Sequence, residues 1–254
     1  MDRNHHMTPS CPPGGGAAAR PGLPAAVRSS LRFLLLAALC LGGNTARADG
    51  DWMRVATARS DSDVSIWSRY ISGQQMKQFR GETHIVTNTE QTLALLLDTD
   101  AMPGWLWRCD NARILNKVSA REYIVYLRFR AFWPLSDRDA VLRVVPSYDT
   151  KTGTLTLTGS ALPDYLPRMQ GVVRVPAIAS SFVLQPGAKK MRVEMNGHFD
   201  PGGIIPLWAA NLFVTVFPKH SLTQMREILE GHSYSAGPHL KAGRDALAGI
   251  VAAP

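Results

Sequence analysis

The side chains that could carry out chemistry in this sequence do not fall into a known catalytic pattern. The five histidines beyond residue 50 do not have the spacing of metal ligands. These are His84, His198, His220, His232 and His239. The motifs G-x-S-x-G, H-E-x-x-H, G-x-G-x-x-G and the P-loop are all missing from the sequence. The sequence therefore predicts no catalytic residue, no metal ligand and no cofactor.

Cysteine chemistry is equally limited. Of the three cysteines, Cys11 and Cys40 fall within the first 48 residues, which leaves Cys109 alone in the rest of the chain. A disulfide within that part is therefore excluded. Because a single cysteine at the start of a strand is more often a small buried apolar residue than a nucleophile, we interpret Cys109 as part of the core.

Three polar or amphipathic side chains are candidates for holding a ligand. The guanidinium of Arg138 can bind a carboxylate or phosphate bidentately if it is buried, or it can form a structural ion pair with Asp139 or another acid. Trp208 and Asn211 lie three residues apart, so they share one face of a helix. Trp208 can offer an apolar wall and Asn211 a hydrogen-bonding group for a ligand. Alternatively, Trp208 packs in a solid core and Asn211 caps a backbone group. Both pairs of alternatives stay open.

An apolar loop is the most suggestive candidate for a contact surface. Phe132, Trp133 and Leu135 surround Pro134. Three such side chains are costly to expose to water, and large exposed apolar patches tend to mark contact sites. This loop is interpreted as a lid or a membrane-docking tip, with a loop tucked into the core as the alternative.

The elements that position these residues are mainly strands up to about residue 200. In residues 122–131 apolar and polar side chains alternate, which predicts a strand with one buried face and one wet face. The apolar face comprises Tyr123, Val125, Leu127 and Phe129. This pattern is typical of antiparallel sheets.

The last element has the period of a helix. Residues 204–230 follow Gly202 and Gly203, and the part up to Phe217 is apolar on nearly every side. Pro218 is predicted to kink this helix. An apolar stretch of this length is shorter than the roughly 20 residues that span a bilayer, so we expect the concave face of a curved sheet to cover it. Periodicity does not decide whether the enclosed interior is packed or hollow.

The two ends of the chain are predicted to lie outside the folded domain. Residues 1–48 contain a basic flank (Arg28 and Arg32), an apolar run over 33–41 and a small-residue site at 46–48, which together are typical of a secretory signal peptide. The product is therefore expected to be periplasmic or secreted. Residues 232–254 are rich in alanine and glycine and are predicted to form a disordered tail.

Charge gives little support for a nucleic-acid partner. The chain has 28 basic and 20 acidic residues, and removing the five arginines and one aspartate of residues 1–48 leaves 23 and 19, a net charge of +4. Such a mild excess without a basic run indicates a solvated mixed-charge surface.

Several stretches of the sequence resemble one protein family. Residues 134–141, Pro-Leu-Ser-Asp-Arg-Asp-Ala-Val, are similar to the P-x-S-x-R-D start of a central strand in START domains, the steroidogenic acute regulatory-related lipid transfer family. Residues 200–211 resemble the opening of the C-terminal helix in that family. The order of elements is similar as well, with three strands, two short helices, six strands and a final helix. The resemblance covers residues 50–231.

The resemblance implies an α+β helix-grip fold. In this fold a curved antiparallel sheet of about nine strands grips a long C-terminal helix over an apolar tunnel for one hydrophobic ligand. The final helix and the loop between the fifth and sixth strands gate the tunnel in the family, which corresponds here to residues 204–230 and 132–136. Some members carry a buried acid–arginine pair, but the position matching its acid falls near Val125, which is apolar.

The function implied is that of a non-enzymatic carrier. It would bind one lipid, such as a phospholipid, a fatty acid or a sterol-like molecule, and move it across an aqueous compartment as a monomer that contacts membranes transiently. An aromatase/cyclase-like enzyme of polyketide chemistry and a ligand-sensing module are the alternatives in the same fold. The predicted lipid-binding residues are Trp107, Val125, Leu127, Phe129, Arg138, Met195, Trp208, Asn211 and Leu212, and the predicted lid residues are Phe132, Trp133 and Leu135.

Overall fold

The computed structural model describes residues 50–60, 63–74 and 76–252, apart from the side chains of Leu207 and Asn211. The predicted signal peptide, residues 1–48, lies outside the described residues. None of the described helices is both long enough and apolar enough to cross a membrane.

The described residues form ten strands and four helices. The strands are β1 (Met53–Ala56), β2 (Ser65–Arg69), β3 (Gln78–Ile85), β4 (Cys109–Ser119), β5 (Glu122–Phe129), β6 (Asp137–Asp149), β7 (Thr154–Ala161), β8 (Val172–Arg174), β9 (Ala177–Gln185) and β10 (Met191–Asp200). The helices are α1 (Thr89–Leu97), α2 (Met102–Trp105), α3 (Leu207–Glu230) and α4 (Gly237–Ala252).

The strands join into a single sheet with the order β1-β2-β3-β10-β9-β7-β6-β5-β4. All neighbours along this path are antiparallel, and only β8 pairs in parallel, with the start of β6. The apolar run over residues 172–184 is split between β8 and β9 because Pro176, between them, cannot donate to a strand ladder. The predicted helix-grip architecture is confirmed, with the parallel β8 as an addition to the expected strands.

Helix α3 lies close against the sheet at a glycine. A Cβ atom at Gly81 in β3 would come within 2.9 Å of Cβ of Pro218 and 3.0 Å of Leu222 Cδ1. A side chain at position 81 would therefore push the helix away from the sheet. The helix begins at Leu207 rather than at the predicted Ile204, because Pro206 holds an extended conformation at its N-cap.

The outer face of β5 is less wet than its sequence predicts. Ile124 and Tyr126 are buried on that face together with Val141, under Leu162 and Leu166. Alternation identified the inner face correctly. It could not show that the segment between β7 and β8 crosses the middle of the outer face.

The prediction of a disordered tail over residues 232–254 is wrong for residues 237–252, which form α4. Ile250 is fully buried, and its carbonyl oxygen accepts a hydrogen bond of 2.8 Å from Nε of Arg121. The hydroxyl of Tyr234 donates to Asp98 Oδ2 over 2.7 Å just before the helix begins. The small residues that suggested disorder instead allow close packing, since Gly243 lies directly against the backbone of Glu90 in α1.

Candidate functional site

The concave face of the sheet and helix α3 enclose a cavity of about 190 Å³. An apolar cavity of roughly 150 Å³ can stay dry and bind a benzene-sized molecule. The interior is therefore hollow, which the sequence left undecided.

Aliphatic and aromatic side chains make up nearly all of the cavity wall. They are Phe79, Leu96, Leu97, Met102, Trp105, Leu106, Tyr123, Val125, Leu127, Phe129, Leu142, Val144, Leu157, Val175, Ile178, Phe182, Met195, Pro201, Ile205, Phe199, Phe213 and Phe217. Arg138, Thr158, Ser180, Asn196 and His198 add polar atoms, and no acidic side chain is among the described residues of the wall. Such a wall suits an apolar ligand with few polar groups.

Five of the nine predicted lipid-binding residues line the cavity. They are Val125, Leu127, Phe129, Arg138 and Met195. They come from β5, β6 and β10, where period-two alternation turns their side chains inward.

The three predicted residues Trp107, Trp208 and Leu212 are not part of the cavity wall. Trp208 is 49% exposed, and Trp107 and Leu212 are half-buried. Asn211 lies in α3, but its side chain is outside the described part of the structure.

Helical geometry explains why the inward residues of α3 differ from those predicted. Phe213 and Phe217 are four residues apart and share the helix face that lines the cavity. Trp208 lies five residues before Phe213, and Leu212 lies one residue before it. With 3.6 residues per turn, both side chains point to another side of the helix. The i, i+4 pair of phenylalanines in the apolar half of the helix was the available signal for this face.

Aromatic side chains join the apolar loop to α3. Phe132 lies 6.0 Å from the ring of Trp107 and 6.0 Å from that of Trp208, between ring centroids. Trp107 in turn contacts Phe213 at 5.7 Å and Phe217 at 6.5 Å. Phe132 on the loop, Trp107 between α2 and β4, and Trp208 on α3 thus form an aromatic cluster with the cavity-lining phenylalanines, and we call these three residues the aromatic gate.

Arg108 holds the loop against this gate. Its guanidinium lies 3.9 Å from the ring centroid of Phe132, and it donates to the carbonyl oxygens of Arg130 (2.5 Å) and Ala131 (2.7 Å). A cation over an aromatic face stabilises both partners. Of the predicted lid residues, Phe132 and Leu135 are half-buried, whereas Trp133 at the tip is 91% exposed.

Arg138 is the only charged side chain among the described residues of the cavity wall. It is 8% exposed, and its Nη1 atom donates to the carbonyl oxygen of Ser136 over 2.5 Å. Its Nε atom is buried without a hydrogen-bond partner among the described residues. Burial lowers the pKa of its guanidinium, and the nearby carboxylate of Asp137 opposes that shift.

The acids next to Arg138 are paired with other arginines. Asp139 accepts two hydrogen bonds from Arg174, at 2.8 and 2.9 Å, and both side chains are 1% exposed. Asp137 accepts from Arg128 over 2.7 Å, which lowers the pKa of its carboxyl. The ion pair considered between Arg138 and Asp139 is therefore not formed, because successive residues of a strand point to opposite faces.

Cys109 has the properties of a core residue. Its side chain is 5% exposed, and burial raises the pKa of its thiol to about 11. The thiol is thus protonated and unreactive near neutral pH. No group of three or more potential metal ligands lies together in the part of the chain that the structure describes.

Sequence comparison finds a relative whose whole length matches this chain. An uncharacterised protein from Pseudomonas aeruginosa is 30% identical over 205 residues, which is 80% of this chain and 99% of the relative. No protein-family model matches the sequence.

Comparison with solved structures finds lipid transfer proteins. A STAR-related lipid transfer protein from Xanthomonas axonopodis is 30% identical, with a TM-score of 0.64, and the match covers 70% of this chain and 98% of that one. Human StAR-related lipid transfer protein 5 is 14% identical, with a TM-score of 0.62 and coverage of 81% and 97%. The lipid transfer and protein localization domain of human StarD13 is 15% identical, with a TM-score of 0.60 and coverage of 82% and 98%. The two human structures support the fold alone.

Proposed function

Because this chain belongs to the START domain family, we propose that it binds one hydrophobic lipid in its internal cavity and carries it across an aqueous compartment. The observation that supports this most directly is the hollow apolar interior between the sheet and α3. Transfer of an acyl chain from water into such a space is favourable by about 0.8 kcal/mol for each buried methylene. This transfer is the driving force of the proposed binding.

The aromatic gate is the proposed route of exchange. Phe132 belongs to the loop between β5 and β6, and Trp208 belongs to the first turn of α3, so separating these two elements would open the space behind Phe213. Contacts between aromatic edges and faces are individually weak, at roughly 0.5–1.5 kcal/mol each beyond their burial. The gate can therefore open at a modest cost.

The outer surface of the gate is the proposed site of transient membrane contact. Trp133 at the loop tip is 91% exposed, and Ile204, just before α3, is 92% exposed. Tryptophan favours the membrane interface. The side chain of Arg130 is 71% exposed next to this loop although its Nε atom is paired with Asp110 (3.1 Å), and we propose that it also approaches anionic headgroups.

Binding without catalysis is proposed for this site. The wall carries no acid among its described residues, and Cys109 is protonated near neutral pH. An acid–base reaction in the cavity would lack a paired acid and base. Since one chain encloses the whole cavity, we expect the protein to act as a monomer.

Export to the periplasm or the medium is proposed from residues 28–48 alone, which lie outside the described residues. The mass of the protein recovered from a periplasmic fraction tests this. A product beginning at Asp49 is expected, and an unprocessed chain found only in the cytoplasm would contradict export.

Native mass spectrometry and lipid extraction of the purified protein test the lipid-binding function. We expect one lipid for each chain and uptake of a fluorescent lipid. The variant Ile178→Trp puts a larger side chain on the cavity wall and is expected to reduce uptake. Ile114→Trp makes the same change at a side chain that is 39% exposed on β4, so it should leave uptake unchanged.

Thermal melting must show that both variants are folded. Reproducible absence of bound lipid from the unmodified protein, together with no uptake of the fluorescent lipid, would contradict the proposal.

A further inference from the structure

A charged side chain on the cavity wall lacks an acidic partner. Among the described residues, Arg138 forms no ion pair, its Nε atom has no hydrogen-bond partner, and only 8% of the residue is exposed. Burying a charge that is neither paired nor fully hydrogen-bonded is strongly unfavourable. A group that completes this site is therefore expected to enter from the cavity.

The protein cannot supply that group from the neighbouring acids. Asp139 lies on the opposite face of β6 and is held bidentately by Arg174. Asp137 attracts Arg138 at longer range, but its carboxylate oxygens accept hydrogen bonds from Arg128 (2.7 Å) and the backbone N–H of Ala131 (3.0 Å).

We propose that the cavity selects an amphiphile with one ionised acidic group, a carboxylate or a phosphate, which binds Arg138 while its apolar chain fills the interior. This inference rests on the proposed lipid-binding function and adds the chemical class of the ligand. The planar fork of a guanidinium fits both kinds of oxyanion. Their shared chemistry, an oxyanion on an apolar chain, is what the site recognises.

The strand register gives the orientation of this ligand. Arg138 pairs with Phe129 near the gate loop, whereas Val144 pairs with Tyr123 at the other end of the β5–β6 ladder. Val144 is six residues along the strand from Arg138, which corresponds to about 20 Å. The acidic group thus lies beside the gate, and the chain points away from it along an apolar wall.

The far end of the cavity carries weaker polar groups. The Tyr123 hydroxyl and the Trp105 indole nitrogen are buried without hydrogen-bond partners among the described residues. Both groups are neutral, so leaving them unpaired is less costly than leaving a guanidinium unpaired. Arg138 therefore dominates the choice of ligand.

Three probes with the same saturated chain, namely hexadecanoic acid, hexadecyl phosphate and hexadecanol, test this selection in competition with a bound fluorescent lipid. The measurements use the whole processed protein at about pH 8, where a carboxylate is ionised. We expect at least one of the two acids to bind about 10- to 100-fold more tightly than the alcohol, because hydrogen bonds to charged groups are the stronger ones. The ratio between the two acids identifies which oxyanion the site prefers.

The variant Arg138→Gln is expected to lower the affinity for the preferred acid to that for the alcohol and to leave the affinity for the alcohol unchanged. Arg143→Gln removes the same charge from the solvent side of β6, where Arg143 is paired with Glu122, and should retain the preference. Retained binding of hexadecanol by Arg138→Gln shows that this variant is folded.

Two results would overturn the selection of an acid. One is equal affinity of the unmodified protein for all three probes. This result needs no variant, and it would leave the proposed lipid-binding function intact. The other is an acid preference that survives in Arg138→Gln. If the unmodified protein binds none of the probes and no other lipid, the lipid-binding function fails together with this inference.

Discussion

At the scale of single residues, the ion pair between Asp139 and Arg174 organises the outer face of the sheet. Both side chains are 1% exposed, and the guanidinium also donates to the carbonyl oxygens of Pro163 (2.7 Å) and Leu166 (3.0 Å). Arg174 thereby links β6 to the segment between β7 and β8, which crosses the outer face of the sheet. This connection covers the small apolar cluster of Ile124, Tyr126 and Val141 on that face.

The substitution Asp139→Asn is expected to destabilise the protein by about 3–5 kcal/mol, because it leaves the buried guanidinium of Arg174 without a counter-charge. Urea denaturation followed by circular dichroism measures the change. Glu122→Gln breaks the solvent-exposed pair with Arg143 and serves as the control, with little change expected. Similar stability of the two variants would contradict this role of the buried pair.

The partner of Asp139 illustrates the limit of sequence reasoning at this scale. Residues 134–141 indicated that Arg138 and Asp139 matter, but not which acid pairs with which arginine. The partner Arg174 lies 35 residues further along the chain, and parallel pairing of β8 with β6 brings it there. No local pattern encodes a contact of that kind.

At the scale of elements, α4 extends the domain beyond the helix that the sheet grips. It packs on α1 at Gly243, where an added Cβ atom would lie only 2.0 Å from the carbonyl oxygen of Glu90 and 3.1 Å from Cβ of Ala94. The residue composition suggested disorder because alanine and glycine bury little apolar surface. Close approach of the helix backbones compensates for the small side chains.

The substitution Gly243→Ala is expected to destabilise the protein by about 1–3 kcal/mol, since the added methyl group cannot fit without moving α4. An exchange of glycine for alanine inside a helix otherwise stabilises by roughly 0.5–1 kcal/mol. Gly104→Ala in α2 has no atom within 4 Å of the new methyl group and is the control. Thermal unfolding of both variants measures the difference, and a stabilised Gly243→Ala would refute the close packing of α4 on α1.

At the scale of the whole molecule, the cavity wall includes Phe129 and Ile205, which lie close in sequence to the most exposed large apolar side chains of the described residues, Trp133 and Ile204. Its wall combines the inner face of the sheet with Phe213 and Phe217 of α3. Phe132 connects the gate loop to the helix, and Trp133 next to it points into solvent. In the proposed function, the inner side of this gate closes the cavity and its outer side contacts the membrane.

The substitution Trp133→Ser is expected to slow lipid transfer between vesicles about tenfold, because it removes a large apolar side chain from the proposed membrane contact. Equilibrium binding of lipid in solution should not change, since this side chain is 91% exposed. Val118→Ser, at a side chain that is 53% exposed on β4, is the control. Transfer as fast as in the unmodified protein would show that the loop tip does not contact the membrane.

The class of fold and five residues of the cavity wall could be predicted from the amino-acid sequence. Alternation in β5 identified Val125, Leu127 and Phe129 as inward residues, because a strand has a period of two whatever it packs against. The apolar half of α3 required a cover, and a curved sheet was the simplest one. These conclusions depend on local periodicity, which neighbouring residues encode.

The hollow interior and the lack of an acidic partner for Arg138 among the described residues could be learned only from the folded structure. Both properties depend on how far apart distant elements stand and on which side chains they bring together. Trp208 was placed on the wall because helix periodicity defines faces but not which face turns inward, and the structure turns Phe213 and Phe217 there instead. The pairing of Asp139 with Arg174 likewise leaves Arg138 alone on the wall, since it joins segments that only the folded sheet brings together.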